Sequence, residues 1–175
     1  SRPDFQSFID GNPVSSKIPD GILKLLTIFV DPVYTGKVRG YDIKIDFERR
    51  GPSRKKTMYT ILTLAFREEI HFDINIKREG TLGMLANLTG FKDISLNDSD
   101  FDSILRIKGS SESAVRALLM EKHRRDALAG LFCRHKYMGM DSKGFHYERE
   151  GYINDYSEVT DILNDMADAA DAFRG

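Results

Sequence analysis

Apolar and polar positions alternate most strictly between Val38 and Glu48, where Tyr41, Ile43, Ile45 and Phe47 are separated by Asp42, Lys44, Asp46 and Glu48. A period of two puts one set on a packed face and the other in water, so this stretch reads as a strand. The run RRGPSRKK, 49–56, reads as a charged hairpin loop turning at Gly51-Pro52. Thr57 to Phe66 is apolar on both faces and rich in β-formers, as expected of a central strand. Ile70, Phe72, Ile74 and Ile76 then alternate with His71, Asp73, Asn75 and Lys77, after a short turn at Arg67-Glu68-Glu69. Three consecutive strands with short connections predict an antiparallel meander.

Further on, Phe101, Leu105 and Ile107 alternate with Asp102, Arg106 and Lys108, and a fourth strand is expected there after a turn at Asn97-Asp98-Ser99-Asp100. Gly109-Ser110-Ser111 breaks it, and Glu112 falls in the first turn of a helix whose stripe is Val115, Leu118 and Leu119. The stripe loses phase at Glu121 to Asp126 and resumes at Ala127, Leu128, Leu131 and Phe132, which predicts two short helices meeting near Met120. Cys133 to Met138 and Gly144 to Ile153 read as a second antiparallel pair with Phe145 and Tyr147 inward. Asp155 and Glu158 resemble a capping box ahead of Val159, Ile162, Leu163, Met166, Ala170 and Phe173, an amphipathic C-terminal helix. The expected fold is α+β: an antiparallel sheet of about five to six strands, meander first, covered by a helix pair and the C-terminal helix.

Residues 1–19, with Pro3, Pro13, Pro19 and Gly11, read as an irregular lead-in, and 20–175 as a single α+β domain. Asp20 caps a helix expected over 21–30, either a core-docking element or a tether, ended by Asp31-Pro32. Between Arg78 and Asp100 the pattern loosens around Gly80, Gly83 and Gly90, with a helical turn expected at Leu82, Leu85 and Leu88.

A chain of 175 residues suits one domain with one core. Its net charge of −1 supplies no overall basic field, so nucleic acid is not expected as a partner. The single Cys133 excludes an intrachain disulfide and is expected to be a small buried residue. The longest apolar run, Ile22 to Val30, is interrupted by Lys24 and Thr27 and falls short of the roughly 20 residues that span a bilayer. The first residues carry no leader pattern, and the absence of an initial Met suggests trimming upstream.

Reactive motifs are missing. The four histidines, His71, His123, His135 and His146, show no metal-ligand spacing, and neither phosphate-loop pattern is present, so no metal or cofactor is expected. His71 and Asp73 share the polar face of one predicted strand, and His135 and His146 sit on what are read as neighbouring strands. If the protein is an enzyme or a small-ligand carrier, with a pocket between sheet and helices, those four residues are its candidates. Charge is the stronger signal. Residues 37–56 hold eight basic side chains against three acids, a net of +5, and 155–174 carry a net of −5. A solvated surface accounts for this; the sharper reading is that Arg49, Arg50, Arg54, Lys55 and Lys56 touch an anionic membrane surface.

The stretch LTGFKDISLNDSDFDSILRIKGSSESAVRALL, the following HRRDALAGL, and Gly36-x-x-Arg39-Gly40 resemble a group of uncharacterised bacterial proteins. The shared residues are Gly90, Lys92, Asp93, Ile94, Phe101, Asp102, Leu118 and Leu119, over roughly 36–173. That resemblance implies membrane-spanning helices upstream of a soluble domain, and no activity. The expectation is therefore a non-enzymatic binding domain, cytoplasmic or attached to a membrane through a segment outside this chain. Its partner would be a protein, an anionic membrane surface or, through a strand edge, a second copy.

Overall fold

The computed structural model describes residues 33–52, 56–78 and 91–174. Within them eight strands form one antiparallel sheet. In chain order they are β1 (Tyr34–Val38), β2 (Tyr41–Arg50), β3 (Thr57–Ala65), β4 (Ile74–Arg78), β5 (Lys92–Ile94), β6 (Leu105–Gly109), β7 (Met138–Asp141) and β8 (Gly144–Glu150). Across the sheet the order is β1-β2-β3-β8-β7-β4-β6-β5. Four helices accompany them: α1 (Ser99–Ile104), α2 (Glu112–Leu118), α3 (Lys122–Arg134) and α4 (Tyr156–Asp171). The α+β class with a C-terminal helix is as expected; the strand count is eight, not five to six. The two additional strands are β1, whose YTGKV has too little apolar content to stand out, and the three-residue β5.

The meander is β1, β2 and β3, and the strand after it does not join. The β7–β8 hairpin lies between β3 and β4, pairing Leu62 with Tyr147 on one side and Ile76 with Met140 on the other. The connector after β3 is turned away by backbone bonds from Phe66 N to Lys143 O and from Ile70 N to Ser142 O, each 2.8 Å. Ile70 and Phe72 therefore belong to a loop, and β4 starts only at Ile74. β1 and β2 meet in a two-residue turn, Arg39 (φ 51°) and Gly40 (φ 81°), whose two positive φ values match the twist of a tight hairpin.

The expected strand at 101–108 starts late. Asp98 caps α1 by accepting from Phe101 N, and Phe101 is buried from a helix, so only Leu105 onward is extended. A spacing of four between Phe101 and Leu105 suits either period. Asp102 fixes the turn before it, accepting from Leu96 N and Ser95 Oγ, bonds that hold its carboxyl below the usual range despite partial burial.

The two-helix reading of the next stretch holds. Ser111 caps α2, accepting from Ala114 N, and the break is at Met120, which is 75% exposed. The polar run that interrupts the stripe has a use. Arg125 donates to the carbonyls of Leu119 (2.7 Å) and Met120 (2.8 Å), and Arg124 to those of Leu118 and Ala172, so acceptors left open at two helix ends are satisfied. Asp155 caps α4 through Ser157 N, while Glu158 pairs with Arg149.

The helices cover one face of the sheet. Ile43, Ile45 and Phe47 are buried on it, and Leu128, Phe132, Ile162 and Met166 are buried above them. The register places Lys44, Thr63, His146, Gly139, Lys77 and Arg106 in one row across the other face.

At the β7–β8 turn, Gly144 lies against the β3 backbone. A Cβ there would press into the Leu64 carbonyl oxygen, which cannot swing aside. Gly144→Ala should therefore lower stability by about 1–3 kcal/mol or more, the range for overpacking a tight site. Urea unfolding should show a lower midpoint at unchanged slope; an unchanged midpoint would mean that the approach is not tight.

Candidate functional site

The basic stretch at 37–56 and the acidic C-terminal helix, separate in sequence, meet in space. Arg39 pairs with Asp168 and, at 2.7 Å, with Asp171. Tyr41 donates its hydroxyl to Asp171 at 2.8 Å and accepts from Arg174 Nε at 3.0 Å, with the Arg67 and Arg174 guanidiniums against its ring. Burial and the Asp171 carboxylate push the Tyr41 phenol up. Lys37 pairs with Asp42 and Lys44 with Asp46. Much of the apparent charge asymmetry thus closes inside the fold.

The five basic residues singled out from the sequence separate accordingly. Arg50 turns inward, binding Glu48 at 2.5 Å and Glu148 at 2.8 Å with its guanidinium over Tyr59. Arg49 and Lys56 are exposed at the end of the β2–β3 hairpin. Arg54 and Lys55 lie outside the described residues, as do the expected helix at 21–30 and the turn at 82–88.

Of the two histidine pairings, one is dissolved. His135 follows α3 and meets Asp165 of α4 at 2.7 Å, its ring edge-on to Tyr147 on the helix side. Asp165 also takes Arg134 at 2.9 Å, and these partners hold its carboxyl below the usual range against the opposing effect of burial. His146 precedes Tyr147 and so points to the opposite face, where its ring lies over Gly139. The sheet stands between the two imidazoles. Its pleat, which a list of residues on neighbouring strands does not convey, decides this. On the same outer face, two residues before Lys77 on β4, Asn75 is 3% exposed and its amide nitrogen has no hydrogen-bond partner among the described residues. Cys133 is exposed, contrary to expectation, because α3 turns Leu128, Leu131 and Phe132 to the core and leaves the next position outside.

His71 and Asp73 do come together, but in a loop. They line a cleft of about 480 Å³ with Glu69, Ser110, Ser142 and Lys143, where the β3–β4 connector, the β6–α2 turn and the β7–β8 turn converge. The sequence offered no signal for Glu69 or Lys143, since the three turns are brought together by strand order alone. A second concavity, about 370 Å³, lies over β1–β3 beside Thr35, Lys44, Thr63 and Ala65. Among the described residues no group of three or more His, Cys, Asp or Glu is placed to hold a metal ion, and no helix is long and apolar enough to cross a membrane.

No protein-family model matches the chain, and no curated protein matches it significantly. Among solved structures, the chain is similar to the mycobacterial trehalose monomycolate transport factor A, TtfA. The TM-score is 0.54 and the identity 11%, over 86% of this chain and 82% of that one. At that identity the likeness is one of fold.

Burial pulls the His146 imidazole below its ordinary value of 6.5, with Asp141 opposing. The fold favours the neutral ring, so this contribution is complete above 6.5 and is lost as the pH falls from there through the lowered folded-state value. Urea midpoints should therefore fall between pH 7.5 and 5.5 in the native chain and fall less in His146→Gln. Asp102 and Asp165 give way only below their ordinary value of 3.8, outside that window. Equal slopes in the two proteins would count against a buried neutral imidazole.

Proposed function

We propose that this chain is a non-enzymatic interaction domain of a membrane-associated bacterial protein, meeting an anionic membrane surface at the end of the β2–β3 hairpin. The contact residues are Arg49 and Lys56 with Arg54 and Lys55 of the intervening loop. The supporting observation is charge density: residues 49–56 hold five basic side chains and no acid, and Arg49 and Lys56 are exposed at the end of the hairpin. The fold likeness to the trehalose monomycolate transport factor A is compatible with this reading and does not select it.

Magnitude limits the role. Each Lys or Arg near anionic lipid contributes about 1 kcal/mol, so four give about 4 kcal/mol, a millimolar affinity. Such a contact orients a domain and does not anchor it. Attachment would come from elsewhere, as the resemblance to proteins with upstream membrane helices implies. Co-sedimentation with phosphatidylglycerol vesicles should show weak binding that high salt abolishes. Phosphatidylcholine vesicles should bind none, and a quadruple Glu substitution at 49, 54, 55 and 56 should bind neither. Equal binding to both lipids, or to neither, sinks the proposal.

A second reading is favoured by β1, whose outer edge pairs with no strand among the described residues. An open edge offers backbone groups to another chain, either a protein partner or a second copy. Light scattering of a monomer at high concentration would remove the second copy.

A further inference from the structure

We propose that the cleft at the start of β4 is a binding site for a small zwitterion, a molecule carrying an ammonium and an anionic oxyacid group. Its volume of about 480 Å³ is within the range of small-molecule sites. The rim is built, because three turns distant in sequence are tied by backbone bonds: Phe66 N to Lys143 O, Ile70 N to Ser142 O, and Ser110 N to Asp73 O at 2.9 Å. A fourth bond, from Asp73 N to Ser110 Oγ at 3.1 Å, closes the rim.

The charges decide the ligand class. Lys143 and His71 stand on this rim with Glu69 and Asp73, and none of the four side chains forms an ion pair among the described residues. On α4, by contrast, four of the five acids, Glu158, Asp165, Asp168 and Asp171, are paired among the described residues and Asp161 is not. A simple anion would gain from Lys143 and be repelled by Glu69 and Asp73; a simple cation would meet the reverse. A ligand bearing both signs gains from both sides. Ser142 adds a hydroxyl beside Lys143. A free amino acid and a phosphoethanolamine lipid headgroup share this chemistry.

The proposal is independent of the hairpin contact, and its test reads different residues. Amide resonances of the chain are followed by NMR during titration with glycine and with O-phosphoethanolamine. Saturable shifts are expected at 69–73, 110 and 142–144 for at least one of them, with inorganic phosphate and ethanolamine each weaker. Lys143→Ala and Asp73→Asn should each weaken binding about tenfold, the worth of one charge-assisted hydrogen bond. Neither side chain makes a hydrogen bond that holds the fold, so both variants should retain the native spectrum. Vesicles of phosphatidylethanolamine that shift the same amides, where phosphatidylcholine does not, assign a lipid source; silence with both assigns a soluble one. No saturable shift from either zwitterion overturns the proposal, as does binding of phosphate alone at equal strength, or binding unchanged in both variants.

Discussion

An eight-stranded antiparallel sheet with one apolar face must hide that face, and here α3 and α4 hide it. Every other feature is arranged around that burial. Ile43, Ile45, Leu62 and Phe145 lie beneath Leu131, Val159 and Leu163 in one continuous core. Area buried in this way is the main favourable term in folding. The polar links above it serve position. Arg124 and Arg125 close the ends of neighbouring helices, and Arg39 with Tyr41 ties the end of α4 to the β1–β2 turn. Because the Arg39 pairs are well exposed, their worth is small in energy, and their effect is on alignment.

With the helices on one side, the candidate sites lie at loop ends. Charge is assigned unevenly over the fold. Over the sheet and along α4 most opposite charges are neighbours and cancel. Around the cleft at Asp73 they do not. Groups that the fold leaves without internal partners can answer to something outside it, which supports the cleft as a site, while the hairpin reading rests on its density of basic charge. Fold likeness to TtfA is compatible with them and chooses neither, since sites are grafted onto folds.

Legibility in the sequence followed periodicity. Tyr41 to Phe47 and Val159 to Phe173 announced their buried faces because many apolar residues agree on one period. The break at Met120 was visible too, as a loss of phase, although the reason for it, two arginines reaching back to carbonyls, was not. Short elements escaped: β5 offers only Lys-Asp-Ile, and α1 was masked by a spacing that also suits a strand. Neighbour relations escaped altogether. Nothing in Ile74 to Lys77 says that its partners are Met140 and Ile107 and not β3. For the same reason His71 and Asp73 could be paired from sequence while Lys143, some seventy positions away, could not. The candidate hairpin was legible as charge, but the inward turn of Arg50 depends on Glu148, which only the β3–β8 register brings near.

The place of the β7–β8 hairpin has a consequence for how the protein is made. During synthesis the meander and the β4–β6–β5 group emerge as two separate half-sheets, each with an open inner margin. Only when residues beyond Met138 leave the ribosome can the wedge enter and join them. Long-range pairing of this kind is slow and leaves unsatisfied strand edges exposed in the meantime. A nascent chain stalled before that point would thus be a natural client for a chaperone, and truncation there would leave β3 and β4 each with an unpaired edge in one chain.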